Sequence, residues 1–440
     1  MAIDDLSDLD RKNIWHPFTS LGSENHPIMI DRAEGIYLYS SDGRKIIDAV
    51  SSWWVNLHGH SHPLIAEAVA QQASILEHVI FAGFTHKPAI LLSKNLLSIL
   101  PKNQKKIFFS DNGSTAVEVA LKMAFQFWHN LGIDGKKKVV ALQGAYHGDT
   151  FGSMSVGERG AFTTPFSKYL FDVEFVDFPK PENETAVIEK FKALLKTGEI
   201  GAFIYEPLVQ AAGGMRMYEP AILDALLEVA RHFDVVCIAD EVFTGFGRTG
   251  KMFASDHLKN SPDIIALSKG LTGGTMALGV TTCNNRIVDA YVTSDTLKTF
   301  FHGHSFTANP IACAAANASF ELLTSEACKE QISRICQQQL VFCKKITSMY
   351  PAHTVRCLGT ILAIEINTRQ DTSYFNNIRD KILPYFLERN ILLRPLGNVV
   401  YVLPPYVIQE DELSTVHNHI EEFIKSVDNW CRSFRKHCMN

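Results

Sequence analysis

The chain has 440 residues, 46% hydrophobic and 20% charged, so it holds ample apolar material for a large buried core and is too long for one small domain. Lys and Arg total 42 against 47 Asp and Glu, a formal charge of −5 that gives no electrostatic reason to expect nucleic acid or an anionic membrane as partner. No window reaches 18 consecutive apolar residues, and Met1–Asp10 carries four aspartates and no apolar secretory segment, so the expectation is a soluble, cytoplasmic protein. Its nine cysteines lie between Cys237 and Cys438 without a C-x-x-C pair, which reads as reduced thiols.

In chain order, Ile36–Tyr39 and Lys45–Val50 flank Ser41-Asp42-Gly43-Arg44, turn chemistry that predicts a hairpin. Such a hairpin cannot bury its own face, so residues 1–55 are expected to pack with the C-terminal domain. From about residue 60 to 310, short β-branched runs alternate with helical patterns, the sequence of a parallel sheet covered by helices on both faces. The predicted strands are Lys106–Phe109, Lys138–Leu142, Ala202–Tyr205, Val235–Ala239, Asp263–Leu267 and Leu278–Thr282, each apolar throughout, as strands buried on both faces must be. This α/β domain is assigned to 56–320. Beyond it, amphipathic helical stretches over Glu321–Tyr350 and strand-like runs at Ile361–Ile366, Ile391–Arg394 and Val399–Leu403 predict a smaller α+β domain over 321–440.

Polar residues follow five of the strands: Ser110-Asp111-Asn112-Gly113, Gln143-Gly144-Ala145-Tyr146, Glu206-Pro207, Asp240-Glu241 and Ser268-Lys269. In open α/β sheets ligands sit at the carboxyl ends of strands, so these endings are expected to converge on one crevice. Thr115 and Glu118 have capping-box spacing, which predicts a helix start beside Gly113 whose free amides suit a phosphate; an ordinary capped helix has the same sequence. Gly245-Phe-Gly-Arg-Thr-Gly-Lys251 matches both nucleotide-binding expressions, yet neither in context. Asp240-Glu241 separate it from the strand, no acidic residue ends the next strand, and Met252 stands where a Mg²⁺-binding hydroxyl is needed. It is left as a glycine-rich active-site loop. His58, His60 and His62 have neither a Cys nor a carboxylate cluster beside them and Pro63 follows, so no metal site is expected.

A carboxylate at the end of a buried strand, Asp240, and a lysine at the end of the next, Lys269, differ from surface charges because desolvation favours the neutral amine as nucleophile or base. An anion cradle, a carboxylate and a lysine are together the requirements of pyridoxal phosphate, with amides for the phosphate, an anion to keep the pyridine nitrogen protonated and an amine for the Schiff base. Tyr146 offers an aromatic face to the ring.

Asp240-Glu-Val-Phe-Thr-Gly-Phe-Gly-Arg-Thr-Gly250 with Ser268-Lys-Gly-Leu-Thr-Gly-Gly274 resembles the signature of the class III aminotransferases, over about residues 12 to 410. Ile14-Trp-His-Pro-Phe-Thr19, Ser51-Ser-Trp-Trp54, Tyr146-His-Gly-Asp-Thr150, Gly213-Gly-Met-Arg-Met-Tyr218 and Arg394-Pro-Leu-Gly397 are similar to its biotin-synthesis branch. The resemblance implies fold type I, with a mostly parallel seven-stranded sheet and a smaller α+β domain. It implies a homodimer with shared sites, S-adenosyl-L-methionine as donor and 8-amino-7-oxononanoate as acceptor. Lysine as donor and another ω-amino-acid aminotransferase are the alternatives, and glutamine in place of Phe243 would mark the latter.

By the same resemblance Lys269 bears the cofactor, Asp240 meets the pyridine nitrogen, Gly113 and Ser114 hold the phosphate and Tyr146 stacks on the ring. Ser305 stands for a threonine that reaches the phosphate of the neighbouring subunit. Trp54, Phe18, Tyr146, Asp149, Gly303 and Arg394 face the substrate, Arg394 as carboxylate clamp. Phe18 replaces a tyrosine and His304 a proline, departures that bear on substrate preference.

Overall fold

Strands apolar on both sides need a layer of helices over each face, and they form the central sheet of this computed structural model, which describes residues 3–22, 27–368 and 372–437. Across the sheet the order is Gln104–Ser110, Gly279–Asn284, Ile264–Leu267, Val236–Asp240, Ile200–Tyr205, Lys138–Leu142 and Val173–Val176. Successive side chains separate two cores. Val139, Ala141, Ile204, Ile238 and Ala266 pack against Val117, Leu121 and Trp128 of the helix Gly113–Asn130, while Val140, Leu142, Tyr205, Ala239 and Leu267 join the core on the other face. Gly279–Asn284, expected among the parallel strands, runs antiparallel to both neighbours. The connection 268–278 is too short to carry a crossover helix, so the chain turns back. Val173–Val176 is a half-buried edge strand, which is why no uniformly apolar run announces it.

The helix Gly113–Asn130 begins three residues before the expected capping box: Asn112 is its cap, accepting from Thr115 N at 2.9 Å. Glu118 instead accepts from the amides of Gly152 (2.7 Å) and Ser153 (3.1 Å), fixing the neighbouring turn.

The N-terminal strands Ile30–Glu34, Tyr37–Ser40 and Lys45–Asp48 form the antiparallel sheet that the turn at 41–44 foretells. Ile391–Leu392 joins them in parallel, opposite Ile47 and Asp48, rather than the C-terminal sheet of Thr354–Leu358, Ile361–Glu365 and Val399–Val402. Arg356 bridges the C-terminal sheet to the large domain, donating to the carbonyls of Met215 (3.1 Å) and Gly214 (3.0 Å) and to Glu365 (2.8 Å). Among the described residues no helix is long and apolar enough to cross a membrane, and the seven cysteines from Cys237 to Cys357 are unbridged.

Glu241 turns away from the strand ends into the core, 0% exposed, and accepts from Thr244 Oγ1 (2.6 Å), Ala254 N (3.0 Å) and both the amide and hydroxyl of Ser255 (2.7 Å each). Glu241→Ala strands these buried donors and is expected to destabilise the fold by about 3 kcal/mol, read as a lowered midpoint in denaturant at unchanged slope.

Candidate active site

The register of the sheet brings the site together. Asp240, the last residue of its strand, lies opposite Ala266 on the adjacent parallel strand, so Lys269 follows three residues beyond that partner at the same edge. Both line a cavity of about 690 Å³ with Trp54, Asn112, Gly113, Ser114, Tyr146, His147, Asp149, Thr150, Glu206, Val242 and Phe243. The five polar strand endings therefore open onto one space, and because Gly279–Asn284 runs backwards, the segment Gly274–Leu278 before it lines that space too.

Lys269 Nζ makes no ion pair or hydrogen bond among the described residues; it sits 4.7 Å from the Trp54 ring and 5.8 Å from that of Phe243. Burial lowers its pKa from 10.5 to about 8, against the opposing pull of Asp240 and Glu206. Its backbone has φ +44°, a left-handed conformation costly for a lysine. The turn that imposes it is closed by Leu271 N on Ser268 O (3.0 Å) and Ser268 Oγ on Leu278 O (2.7 Å).

Asp240, 5% exposed, is held by two donors, His147 Nδ1 on Oδ2 at 2.7 Å and Val242 N on Oδ1 at 3.1 Å. His147 is itself buried, and among the described residues its Nε2 has no partner, so the ring is turned to the carboxylate. Glu206 accepts from Tyr146 N and Ala211 N, both 3.0 Å. Burial pushes its pKa up to about 7, opposed by His147 and reinforced by Asp240. Burial and the adjoining Asp149 carboxylate keep the Tyr146 phenol protonated. Sequence reasoning assigned no role to His147, Glu206 or Thr150, although His147 adjoins Tyr146 in the same motif.

The helix Gly113–Asn130 presents its first residues to the same cavity. Asn112 caps only Thr115, so the amides of Gly113 and Ser114 have no intrahelical acceptor. A Cβ at Gly113 would come within 2.6 Å of Val242, which makes glycine the residue that fits between helix and strand end. Ser114 Oγ is tied to Thr150, 2.7 Å from its hydroxyl and accepting its amide at 3.0 Å.

Of the expected residues, Trp54, Gly113, Ser114, Tyr146, Asp149, Asp240 and Lys269 line the cavity; Phe18, Gly303, Ser305 and Arg394 do not. Arg394 is half-buried and makes no ion pair among the described residues, its guanidinium 4.4 Å from the ring of Trp53. Phe18 packs edge-on against Trp53 at 5.5 Å and Phe162 at 6.2 Å. Gly303 and Ser305 are exposed on the surface of their own chain.

The glycine-rich loop is not an active-site loop. Gly247 and Gly250 turn with φ +100° and +84°, Lys251 donates to Asp256 O (2.8 Å), and none of these residues lines the cavity. Its Arg248, 1% exposed, donates instead to the carbonyls of Pro404 (3.1 Å), Trp54 (3.2 Å) and Asn56 (3.0 Å), buttressing Trp54 from behind. His58 pairs with Ser319 (3.1 Å) and His60 with Asp48 (3.0 Å), which are structural roles.

Comparison with known proteins agrees with this geometry. Residues 18–424 match the model of the family described as aminotransferase class-III. The chain is 46% identical over 424 residues, 94% of its own length and 99% of the relative's, to the adenosylmethionine-8-amino-7-oxononanoate aminotransferase of Synechococcus elongatus. The crystal structure of the enzyme of that name from Methanocaldococcus jannaschii superposes with a TM-score of 0.89 at 34% identity, covering 96% of this chain and 99% of that one. A PLP-bound amine transaminase from an uncultivated Pseudomonas species gives a TM-score of 0.87 at 30% identity, covering 93% and 97%. An amine and a carboxylate at adjacent strand ends, inside this fold and this sequence match, mean that the chain belongs to the class III aminotransferases.

Proposed function

We propose that the protein transfers the amino group of S-adenosyl-L-methionine to 8-amino-7-oxononanoate, giving 7,8-diaminononanoate, in the cytoplasm and in the synthesis of biotin. The observation that carries amine transfer is the unpaired Lys269 amine beside the Asp240 carboxylate in one cavity. The substrates follow from relatives of that name matched over nearly their whole length. Residues 56–320 are taken as the cofactor-holding domain, with 321–440 and the N-terminal segment 1–55 as the second unit.

The cavity fits pyridoxal phosphate, the cofactor of this enzyme: a free amine, an anchored carboxylate and open helix amides line one space. When bound, the cofactor supplies a carbonyl carbon that exchanges amino groups and a ring that accepts the resulting electron pair. Lys269 would hold it covalently and, once released, act as the base at the substrate's Cα, a task suited to an amine whose pKa lies near neutrality. Asp240 would keep the proton on the ring nitrogen, and His147 orients that carboxylate. Gly113 and Ser114 would bind the phosphate through their amides. Tyr146 would cover the ring, Trp54 wall the site and Asp149 contact the substrate amine. Arg394, stacked on Trp53 and without a carboxylate partner among the described residues, would clamp the substrate's, with Phe18 on the same Trp53.

Ser305 and Gly303 serve a second copy of the chain in this reading. Phe301 and Phe306, flanking them, are 71% and 64% exposed, an apolar surface that a homodimer would cover. Mixing subunits tests the arrangement. Lys269→Ala and Ser305→Asp homodimers should each be impaired, while hybrids regain activity because one site then receives an intact Lys269 from one chain and an intact Ser305 from the other. Absence of recovery would assign Ser305 to its own subunit's site or to none.

Two further outcomes are expected. Lys269→Ala should lower kcat/KM by on the order of 10³-fold or more while leaving the circular dichroism spectrum unchanged. In cofactor-free protein, acylation of Lys269 followed by peptide mass spectrometry should rise tenfold per pH unit and level off near pH 8, because the neutral amine dominates above its pKa, whereas surface lysines continue to rise toward 10.5. The substrates are tested by a donor panel with 8-amino-7-oxononanoate as acceptor. Turnover with S-adenosyl-L-methionine but not with lysine supports the proposal, and turnover with lysine alone overturns the donor assignment.

A further inference from the structure

Residues with a Cβ avoid φ > 0, and a run of them there is sterically costly. Ser51, Ser52, Trp53 and Trp54 have φ values of +52°, +44°, +68° and +76°. Together they make one left-handed turn, closed by Trp54 N on Val50 O and Val55 N on Ser51 O, both at 2.9 Å. Strain of this kind persists only where the surroundings over-determine it, and it concentrates at functional sites. Here the turn aims two indoles in different directions: Trp54 to within 4.7 Å of Lys269 Nζ, and Trp53 to within 4.4 Å of the Arg394 guanidinium. A right-handed path through the same residues would send both rings elsewhere.

The anchor of the turn is a carboxylate outside the cavity. Asp48, 0% exposed, accepts from Val50 N at 3.1 Å, Ser52 Oγ at 2.7 Å and His60 Nε2 at 3.0 Å. The bond to Ser52 fixes the turn at its second residue, where a serine's own preference would be to leave it. Ser51 Oγ on Leu403 O (2.7 Å) and Trp54 Nε1 on the Tyr401 hydroxyl (3.0 Å) hold its two ends.

We propose that Asp48 is a positioning residue for the substrate site, holding Ser51–Trp54 left-handed and thereby placing Trp54 against Lys269 and Trp53 under Arg394. The inference rests on the reading of that cavity and Arg394 as the substrate site. Asp48 touches neither substrate nor cofactor; its effect passes through the backbone of the turn.

The test uses the holoenzyme variants Asp48→Asn, Ser52→Ala and Ser52→Gly, the last two also in the Asp48→Asn background. Asp48→Asn should raise KM for the carboxylate-bearing acceptor about tenfold with a smaller change in kcat, and acrylamide should newly quench Trp54 fluorescence, an increment absent when Trp54 is also replaced by Phe. Because glycine accepts φ > 0 without penalty, Ser52→Gly should restore at least a threefold part of the lost KM on the Asp48→Asn background, and Ser52→Ala none. That order reverses the helical preference for alanine and is what a left-handed turn requires. Unchanged KM and quenching in Asp48→Asn, or equal behaviour of glycine and alanine at position 52, would overturn the proposal. If Asp48→Asn does not fold, the Ser52 pair in the native background decides, with alanine expected to raise KM more than glycine. Trp54→Phe and Arg394→Ala separate the two readings: should neither alter KM, the substrate-site assignment itself fails, whereas altered KM there with none in Asp48→Asn removes only the role of Asp48.

Discussion

Everything at the site depends on keeping one amine out of water beside one carboxylate. Placing a lysine at the end of a fully apolar strand costs solvation that its neighbours only partly return, so the amine loses its proton more readily than an ordinary lysine. The parallel ladder makes this reproducible. Asp240 and Lys269 sit on adjacent strands whose register is fixed by apolar side chains on both faces, and a slip of one residue would invert both cores. The electrostatics therefore inherit their accuracy from packing.

Around that pair the protein arranges support in depth. His147 and the Val242 amide hold Asp240, Thr150 holds Ser114, and Arg248 holds the carbonyls behind Trp54. His147, Thr150 and Arg248 come from parts of the chain distant from the groups they hold, and His147 and Arg248 are buried. Such supporting contacts decide whether side chains that face the cofactor stay within the tolerance that chemistry demands.

Much of this was legible in the residues. Uniformly apolar runs ending in polar residues identified the strands and their convergent edge, because burial on both faces and exposure at one end leave a direct mark on composition. Asp240 and Lys269 stood out for that reason. Direction was harder: the reversal of Gly279–Asn284 lies in the length of the segment before it, and the half-buried Val173–Val176 leaves no apolar run at all. His147 was invisible as a partner of Asp240, since the contact spans 93 positions and joins two strand ends that only the fold brings together. The glycine-rich loop misled because its glycines serve a turn around a buried Arg248, a need that produces the same letters as a phosphate loop. The left-handed turn at Ser51–Trp54 has no compositional signal, for neither serine nor tryptophan favours it and it is held by side-chain bonds to Asp48 and Leu403.

The parallel pairing of Lys45–Asp48 with Ile391–Leu392, and the bond from Ser51 to Leu403, join a segment that precedes the central sheet to one that follows it. During synthesis on the ribosome the central sheet can assemble as its strands emerge, lysine included, while the wall carrying both tryptophans must wait for residues 391–403. The nascent protein thus acquires its reactive amine long before it acquires the enclosure that governs what may approach it.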